Sequence, residues 1–246
     1  MKTLILLVAA ITASIVSAQE QIPGADDIKR LEQMAERGDT AALHSVLEYY
    51  DINAPVAMTM VDEKGVGYEE AVRDTTRTAT PPPSDAGVNA EEYFTSRLQY
   101  WLSVGLVKND PLGTYIMGKR LYFKKNAKAM FYLDRAAELG NTDAMMLCGS
   151  IYLDNGTLDK AIKYYYLAYK KSVPCAGWKL AGCYMDMDPD KYKDQILDAL
   201  IKSAHLECPD AVRAMTEIDP ENPVWKEKYE RLELEEVPVC IVPEEE

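Results

Sequence analysis

One stretch of the sequence has the spacing of a phosphate-binding loop. Residues 113 to 120, GTYIMGKR, fit the pattern G-x-x-x-x-G-K. A nucleotide-binding loop of this type follows a strand, and its Lys is followed by a Ser or Thr that binds magnesium. Here Arg120 follows Lys119, and no strand pattern precedes Gly113. The stretch therefore does not predict nucleotide binding.

The histidines and cysteines are the next candidates for catalysis or metal binding. His44 and His205 are far apart in the sequence, and neither has Cys or His neighbours at metal-ligand spacing. Cys208 follows His205 by three residues, but no third residue is placed to orient the imidazole for nucleophilic catalysis. Carboxylates are too numerous to single out a glycosidase-type pair. We predict no catalytic residue, no metal site and no cofactor.

A tyrosine-rich stretch, KYYYLAY from Lys163 to Tyr169, could stack against bases or sugars. Core packing explains it better, because Tyr165 and Tyr169 are four residues apart and share one face of a helix. Another tyrosine is then left nearer to solvent. We predict that this stretch is a packed helix.

The N-terminal segment indicates export, and the net charge argues against one class of partner. Residues 1–18 carry Lys2, an apolar run from Leu4 to Val16, and small residues suited to cleavage after Ala18, so we predict a signal peptide. The 246-residue chain has a net charge of −13, and losing Lys2 leaves 26 basic and 40 acidic residues, or −14. This balance argues against nucleic acid as a partner, and no later apolar run predicts an integral membrane segment. We expect a periplasmic or secreted protein.

A repeated pattern of small residues and tyrosine organises the rest of the chain. Ala144 is followed at offsets four, five and eight by Cys148, Gly149 and Tyr152, and Ala176 is followed at the same offsets by an apolar residue, a small residue and Tyr184. Further copies start at Gly113, Ala211 and Ala42. These offsets lie on one face of a helix, since each residue turns about 100°. The small residues predict close approach of a neighbouring helix.

With two helices in each unit of about 32 to 35 residues, the pattern resembles the Sel-one-like repeat, a relative of the tetratricopeptide repeat. The match is AAELGNTDAMMLCGSIY followed by DNGTLDKAIKYYYLAYK, and it extends over residues 110 to 215 and more loosely over 26 to 51. The resemblance implies an all-α fold in which helix-turn-helix repeats stack into an α-solenoid. It also implies an exported bacterial member that acts as an adaptor for a protein or peptide.

Composition divides the chain into five segments. We predict a signal peptide at 1–18, a helix pair at 19–51, an insertion and Thr/Pro-rich linker at 52–88, a repeat array at 89–216, and a capping helix with an acidic tail at 217–246. Proline and capping signals place helix starts near 89, 111, 190 and 220. No segment convincingly predicts a strand.

The partner-binding surface is expected on the first helix of each pair, away from the packing face. Offsets two, six and nine from each anchor select Tyr115, Lys119, Tyr122, Met146, Ser150, Trp178 and Arg213. Aromatic, Met and Arg side chains are enriched at interfaces, although burial between repeats is an open alternative for Tyr122, Met146 and Trp178. Other open functions are binding of cell-wall glycan or peptidoglycan fragments, hydrolysis, and structural self-association.

The cysteines allow one disulfide to be suggested. The five cysteines are an odd number, so at least one is unpaired or bonds to another chain. Cys175 begins one predicted helix and Cys208 ends the next, which places both at one end of an antiparallel pair. We expect a bridge between Cys175 and Cys208.

Overall fold

A computed structural model describes residues 25–54, 56–61, 67–72 and 90–234, which form eleven helices and one hairpin. The elements are α1 (Ala25–Glu36), α2 (Thr40–Asn53), β1 (Val56–Val61), β2 (Gly67–Val72), α3 (Ala90–Val107), α4 (Pro111–Phe123), α5 (Ala129–Glu138), α6 (Thr142–Asp154), α7 (Leu158–Lys170), α8 (Ala176–Met187), α9 (Lys193–His205), α10 (Pro209–Ile218) and α11 (Pro223–Leu234). The predicted helical fold is confirmed. The signal peptide, residues 74–88 of the linker and the tail with Cys240 lie outside the described residues.

The chain divides into two compact units after Lys108. In the N-terminal unit α1 packs on α2, and α2 packs on α3. Sequence analysis assigned α3 to the repeat array, whereas the structure places it with the N-terminal helix pair. The physical reason is a polar contact across three helices: Glu32 Oε1 accepts hydrogen bonds from Tyr50 Oη at 2.9 Å and Trp101 Nε1 at 3.0 Å, and pairs with Arg97.

The hairpin is the one element type that sequence analysis did not predict. Strands β1 and β2 are antiparallel, with Val56 opposite Val72 and Val61 opposite Gly67. The expectation that no segment forms a strand is therefore wrong here. Strands of six residues are too short for periodicity to distinguish them from helix.

The C-terminal unit consists of helix pairs, with first helices α4, α6, α8 and α10 and second helices α5, α7, α9 and α11. Short polar side chains start two of the first helices. Asp110 Oδ1 accepts the Gly113 N–H at 2.8 Å, and Asn141 Oδ1 accepts the Ala144 N–H at 2.7 Å, which satisfies otherwise unpaired donors. Gly140 ends the preceding turn with a φ of +97°, a conformation that glycine adopts without strain.

Two predicted helix starts are displaced by three residues. Helix α9 begins at Lys193 rather than near 190, because Asp188 Oδ1 accepts the Lys191 N–H at 3.0 Å and closes a turn first. Helix α11 begins at Pro223 because Asn222 Oδ1 accepts the Val224 N–H at 3.1 Å and supplies the cap. The aspartates before the prolines therefore mark turns that precede these helices.

Glycines permit the helices of a pair to approach closely. A Cβ added at Gly149 would lie 2.5 Å from Cε1 of Tyr165, a ring that is fully buried. At Gly118 it would lie 2.9 Å from Leu133, and at Gly177 it would overlap the carbonyl oxygen of Ala199. The predicted close approach at Gly149 is confirmed.

Lysines from later helices cap the ends of earlier ones. Lys202 Nζ in α9 donates to the Tyr169 carbonyl at the end of α7, at 2.8 Å, and Lys228 Nζ in α11 donates to the His205 carbonyl at the end of α9, at 3.4 Å. A positive charge is favourable at a helix C-terminus, where the last carbonyls have no helical partner. The C-terminal end of each of these two second helices, α7 and α9, is thus capped by a lysine of the next second helix.

Candidate functional site

The first helices present equivalent positions in consecutive repeats. We define the first-helix face as the residues of the first helices at offsets two, six and nine, which are Tyr115, Lys119, Tyr122, Met146, Ser150, Leu153, Trp178, Gly182, Met185, Arg213 and Glu217. Each offset forms a row, because equivalent positions on neighbouring first helices follow one another from repeat to repeat. The described part of the C-terminal unit contains the whole face.

The row at offset two is apolar for three repeats and basic in the fourth. Tyr115 and Met146 are half-buried and pack against the core formed by α5 to α8. Trp178 is half-buried and packs against the core of α9 to α11. Arg213 is exposed and forms an ion pair with Asp210 at 3.0 Å. Met146 and Trp178 are thus partly buried between repeats, as the alternative interpretation expected, but both side chains remain partly exposed.

The row at offset six is polar or small. Lys119 Nζ lies 5.6 Å from the centre of the Tyr115 ring, within the range of a cation–π contact. Ser150 Oγ lies 3.0 Å from Tyr165 Oη and forms a hydrogen bond with it. A Cβ added at Gly182 would meet no heavy atom within 4 Å, so the middle of this row opens onto free space.

The row at offset nine is the most accessible of the three. The exposed fraction is 38% for Tyr122 and 42% for Met185, and Leu153 between them is half-buried. Sequence analysis named Tyr122 but missed Leu153, Gly182 and Met185. The same offsets would have found them, since each stands at an equivalent position of its repeat.

A second polar cluster, between repeats, was also missed. Asp134 of α5 accepts hydrogen bonds from Tyr164 Oη at 2.8 Å and Tyr152 Oη at 3.1 Å, and Cys148 Sγ lies 3.7 Å from the carboxylate. Burial, followed by the nearby Asp134, raises the pKa of Tyr152 to about 12. Both phenols therefore keep their protons at neutral pH and act as donors. Lys160 Nζ lies 4.7 Å from the centre of the Tyr152 ring.

The tyrosine-rich helix α7 is packed as predicted. Tyr165 is fully buried, whereas the neighbouring Tyr166 is 43% exposed. Tyr169 is half-buried and donates a hydrogen bond to Asp198 Oδ2 at 2.6 Å. One tyrosine of the three in sequence is thus left to solvent, because consecutive helical residues point in different directions.

The candidate nucleophiles are held in unreactive states. Cys175 and Cys208 form a disulfide with a Cα–Cα distance of 5.1 Å, so the Cys208 thiol is not available to His205. Burial raises the pKa of the Cys148 thiol to about 12 and that of Cys183 to about 11, which disfavours the reactive thiolate at neutral pH. Neither thiol is suited to nucleophilic attack.

Phosphate binding is not favoured at the glycine-spaced stretch. GTYIMGKR lies within helix α4, with Gly113 and Gly118 buried, so its backbone amides cannot form a cradle. Over the described residues there is no cluster of three or more His, Cys, Asp or Glu side chains able to hold a metal ion. None of the helices in that part of the chain is both long and apolar enough to cross a membrane.

Comparison with solved structures agrees with the repeat pattern. No protein-family model and no curated protein matches the chain. The fold is similar to that of a protective antigen of uropathogenic Escherichia coli that displays an SLR (Sel-one-like repeat) fold, with a TM-score of 0.53, 15% identity, and coverage of 87% of this chain and 45% of that one. A Pseudomonas aeruginosa protein, PA5086, is similar with a TM-score of 0.49, 18% identity, and coverage of 94% and 87%.

The likeness to the antigen establishes the fold of this chain. The helix pairs form an SLR-type α-solenoid, and the expected resemblance to Sel-one-like repeats is confirmed at the level of fold. This chain spans less than half the length of the antigen.

Proposed function

We propose that the protein is an exported adaptor that binds a protein or peptide partner on its first-helix face. The observation that carries the proposal is the arrangement of three rows on that face. Apolar side chains line the outer rows, with Met146 and Trp178 on one side and Leu153 and Met185 on the other, while the middle row between them is small at Ser150 and open at Gly182. Such a channel suits an extended peptide with apolar side chains.

The chemistry of the face supports binding over catalysis. Trp, Tyr, Met and Arg are the side chains most enriched at interface cores, and all four types occur on the face. Arg213 is half of an exposed ion pair, so a partner carboxylate at that end would compete with Asp210. Glu217, one turn after Arg213, is also exposed on the face, so the feature that the face best matches is an apolar peptide segment.

Export is part of the proposal. The apolar leader ending at Ala18 is typical of a signal peptide, and the disulfide between Cys175 and Cys208 is of a kind that persists mainly in oxidising compartments. Together they support a periplasmic or secreted location.

The tyrosines give little support to the glycan alternative. Sugar binding needs an aromatic ring with a free face, but Tyr152 and Tyr164 stack on one another with centroids 5.6 Å apart. Lys160 covers the ring of Tyr152, and Lys170 lies 5.6 Å from the centre of the Tyr166 ring. These faces are already occupied by the protein itself.

Site-specific photocrosslinking tests the proposal. A photoreactive phenylalanine at Gly182 points into the open space, whereas the same residue at Phe131 of α5, which is 69% exposed, reports on a second helix. We expect one discrete crosslinked partner from position 182 in the native envelope or secretion medium, and none from position 131. Adding Trp178→Ala should abolish the adduct, whereas adding Phe131→Ala should leave it.

Two crosslinking results would contradict the proposal. Equal crosslinking from both positions indicates non-specific contact, and no adduct at 182 indicates that the face is not a docking surface. Trp178 packs against the core, so circular dichroism of each variant must first show unchanged helix content.

A further inference from the structure

We infer that the Cys175–Cys208 disulfide regulates binding at the first-helix face. It does so because it fixes the relative position of Trp178 and Arg213, the last two residues of the row at offset two. This inference rests on the proposed docking function. In the oxidised chain the face is complete; in the reduced chain the starts of α8 and α10 separate and partner affinity falls. Oxidation after export would thus finish the binding surface.

The disulfide joins the starts of two first helices. Cys175 is the N-cap of α8 and Cys208 is the N-cap of α10, and the two are 33 residues apart in sequence. Trp178 is three residues after Cys175, and Arg213 is five residues after Cys208. Both docking residues therefore lie within about a turn and a half of the covalent link.

The start of α8 is also fixed to the intervening helix. Ser203 of α9 is almost fully buried; its Oγ donates to the Pro174 carbonyl and accepts the Trp178 N–H at 3.1 Å. Gly177 brings the same turn against the backbone of Ala199. The backbone of Trp178 is thus held to α9 without the disulfide, and α10 is the element that the disulfide positions relative to it.

The start of α10 has fewer such constraints. The Cys208 side chain makes no cap hydrogen bond, and Arg213 is exposed. The preceding residue, Glu207, has a φ of +65° and pairs with Arg231 and Lys228 of α11. Exposed ion pairs of this kind contribute little, so the main restraints on this turn are the disulfide and the core packing of Cys208, Ala211 and Val212.

The chemical step is a reversible two-electron exchange. A dithiol reductant gives two electrons and two protons to the Cys175–Cys208 bond, which becomes two thiols, and the reductant becomes a disulfide. In an oxidising compartment the reverse reaction is favoured: a disulfide takes up the two electrons and two protons, and the Cys175–Cys208 bond forms again. The reductant reaches the bond through the sulfur of Cys175, which is partly exposed, because Cys208 is fully buried. The other described cysteines, Cys148 and Cys183, are free thiols that the exchange does not involve.

Hydrogen exchange measured by mass spectrometry tests the coupling without knowledge of the partner. All samples are the full chain with Cys240→Ser. Three forms are compared: the oxidised chain, the chain reduced with dithiothreitol, and the Cys175→Ser/Cys208→Ser variant. The variant is also measured with and without dithiothreitol, which shows any effect of the reductant that does not involve the disulfide. We expect exchange at Val212, whose N–H donates to the Cys208 carbonyl, and at the amides that follow it in α10 to rise by about tenfold or more in both disulfide-free forms. The rise in helices α4 to α7 should be smaller, because the disulfide does not join them.

Two results would overturn the inference. Unchanged exchange at the start of α10 shows that packing alone positions it, and an even rise over α4 to α11 shows only a general loss of stability. The crosslink from position 182 supplies the binding readout: it should weaken at least severalfold in the reduced chain. If it persists equally, the disulfide does not regulate docking.

The same experiments separate this inference from the proposed function. Absence of a crosslink in both oxidation states refutes the docking function and the regulation that depends on it. In that case local loosening of α10 still shows that the disulfide positions the two helix starts. Loss of the crosslink together with loosening at α10 supports both.

Discussion

Replacing Gly149 by Ala should destabilise the C-terminal unit, whereas the same change at Gly182 should stabilise it. Both glycines lie inside first helices, so the gain in helix propensity, about 1 kcal/mol, is similar at the two positions. They differ in what the new methyl group meets. At Gly149 it would lie 2.5 Å from the buried ring of Tyr165, and at Gly182 it would meet nothing within 4 Å.

The expected magnitudes follow from these contacts. Overpacking a core site costs about 1–3 kcal/mol, so Gly149→Ala should lose up to roughly 2 kcal/mol after the propensity gain. The ring of Tyr165 must also shift, which weakens its 3.0 Å hydrogen bond with Ser150. Gly182→Ala should gain about 0.5–1 kcal/mol. Because the propensity gain is common to both variants, their unfolding free energies should differ by the overpacking cost, about 1–3 kcal/mol.

Urea unfolding followed by far-UV circular dichroism measures the free energies. Because both variants carry the same substitution, effects on the unfolded chain cancel in the comparison. The m-value must stay constant for the difference to be assigned to the folded state. If Gly149→Ala is as stable as Gly182→Ala, then the small residues of the repeat do not serve close helix packing.

Three further predictions concern the polar groups between helices. Asp134→Ala should lower the free energy of unfolding in urea by about 1–3 kcal/mol, because the buried Tyr164 hydroxyl loses its acceptor; no change would show that water replaces it. Cys175→Ser with Cys208→Ser should cost about 2–4 kcal/mol in the same assay, from the entropy of the opened loop, and a smaller loss than Asp134→Ala would contradict this. Because the pKa of Tyr152 is raised from 10.0 to about 12, the unfolded chain releases that proton first, so stability should fall as pH rises from 10 to 12; Tyr152→Phe should make the fall shallower.

The repeat could be predicted from the sequence because packing and spacing determine it together. Close helix contact requires a small residue, and Gly149 at a fixed offset from Ala144 reveals both the contact and the period. The helix start at residue 111 was accurate because the side chain of Asp110 caps it locally. The exposed Tyr166 next to the buried Tyr165 followed from helix geometry alone.

The rest depended on contacts between residues far apart in the sequence. Asp134 accepts hydrogen bonds from the hydroxyl groups of Tyr152 and Tyr164, which are 18 and 30 residues later in the sequence. No local sequence pattern marks an aspartate as such an acceptor. The placement of α3 depends on the pairing of Arg97 with Glu32, 65 residues earlier. On the first-helix face, Gly182 carries no side chain to suggest a role, so only its equivalence to Ser150 could have identified it.

The lysine caps give the array a direction. The end of α7 is completed by Lys202 from α9, and the end of α9 by Lys228 from α11, so each repeat depends on the one that follows it. Removing α11 would leave the last carbonyls of α9 without that donor, and any fraying would begin there and move towards the N-terminus. A repeat added after α11 would need both a basic residue for the last carbonyls of α11 and an apolar surface that packs against it. Helix α11 therefore stabilises the repeats that precede it in the chain.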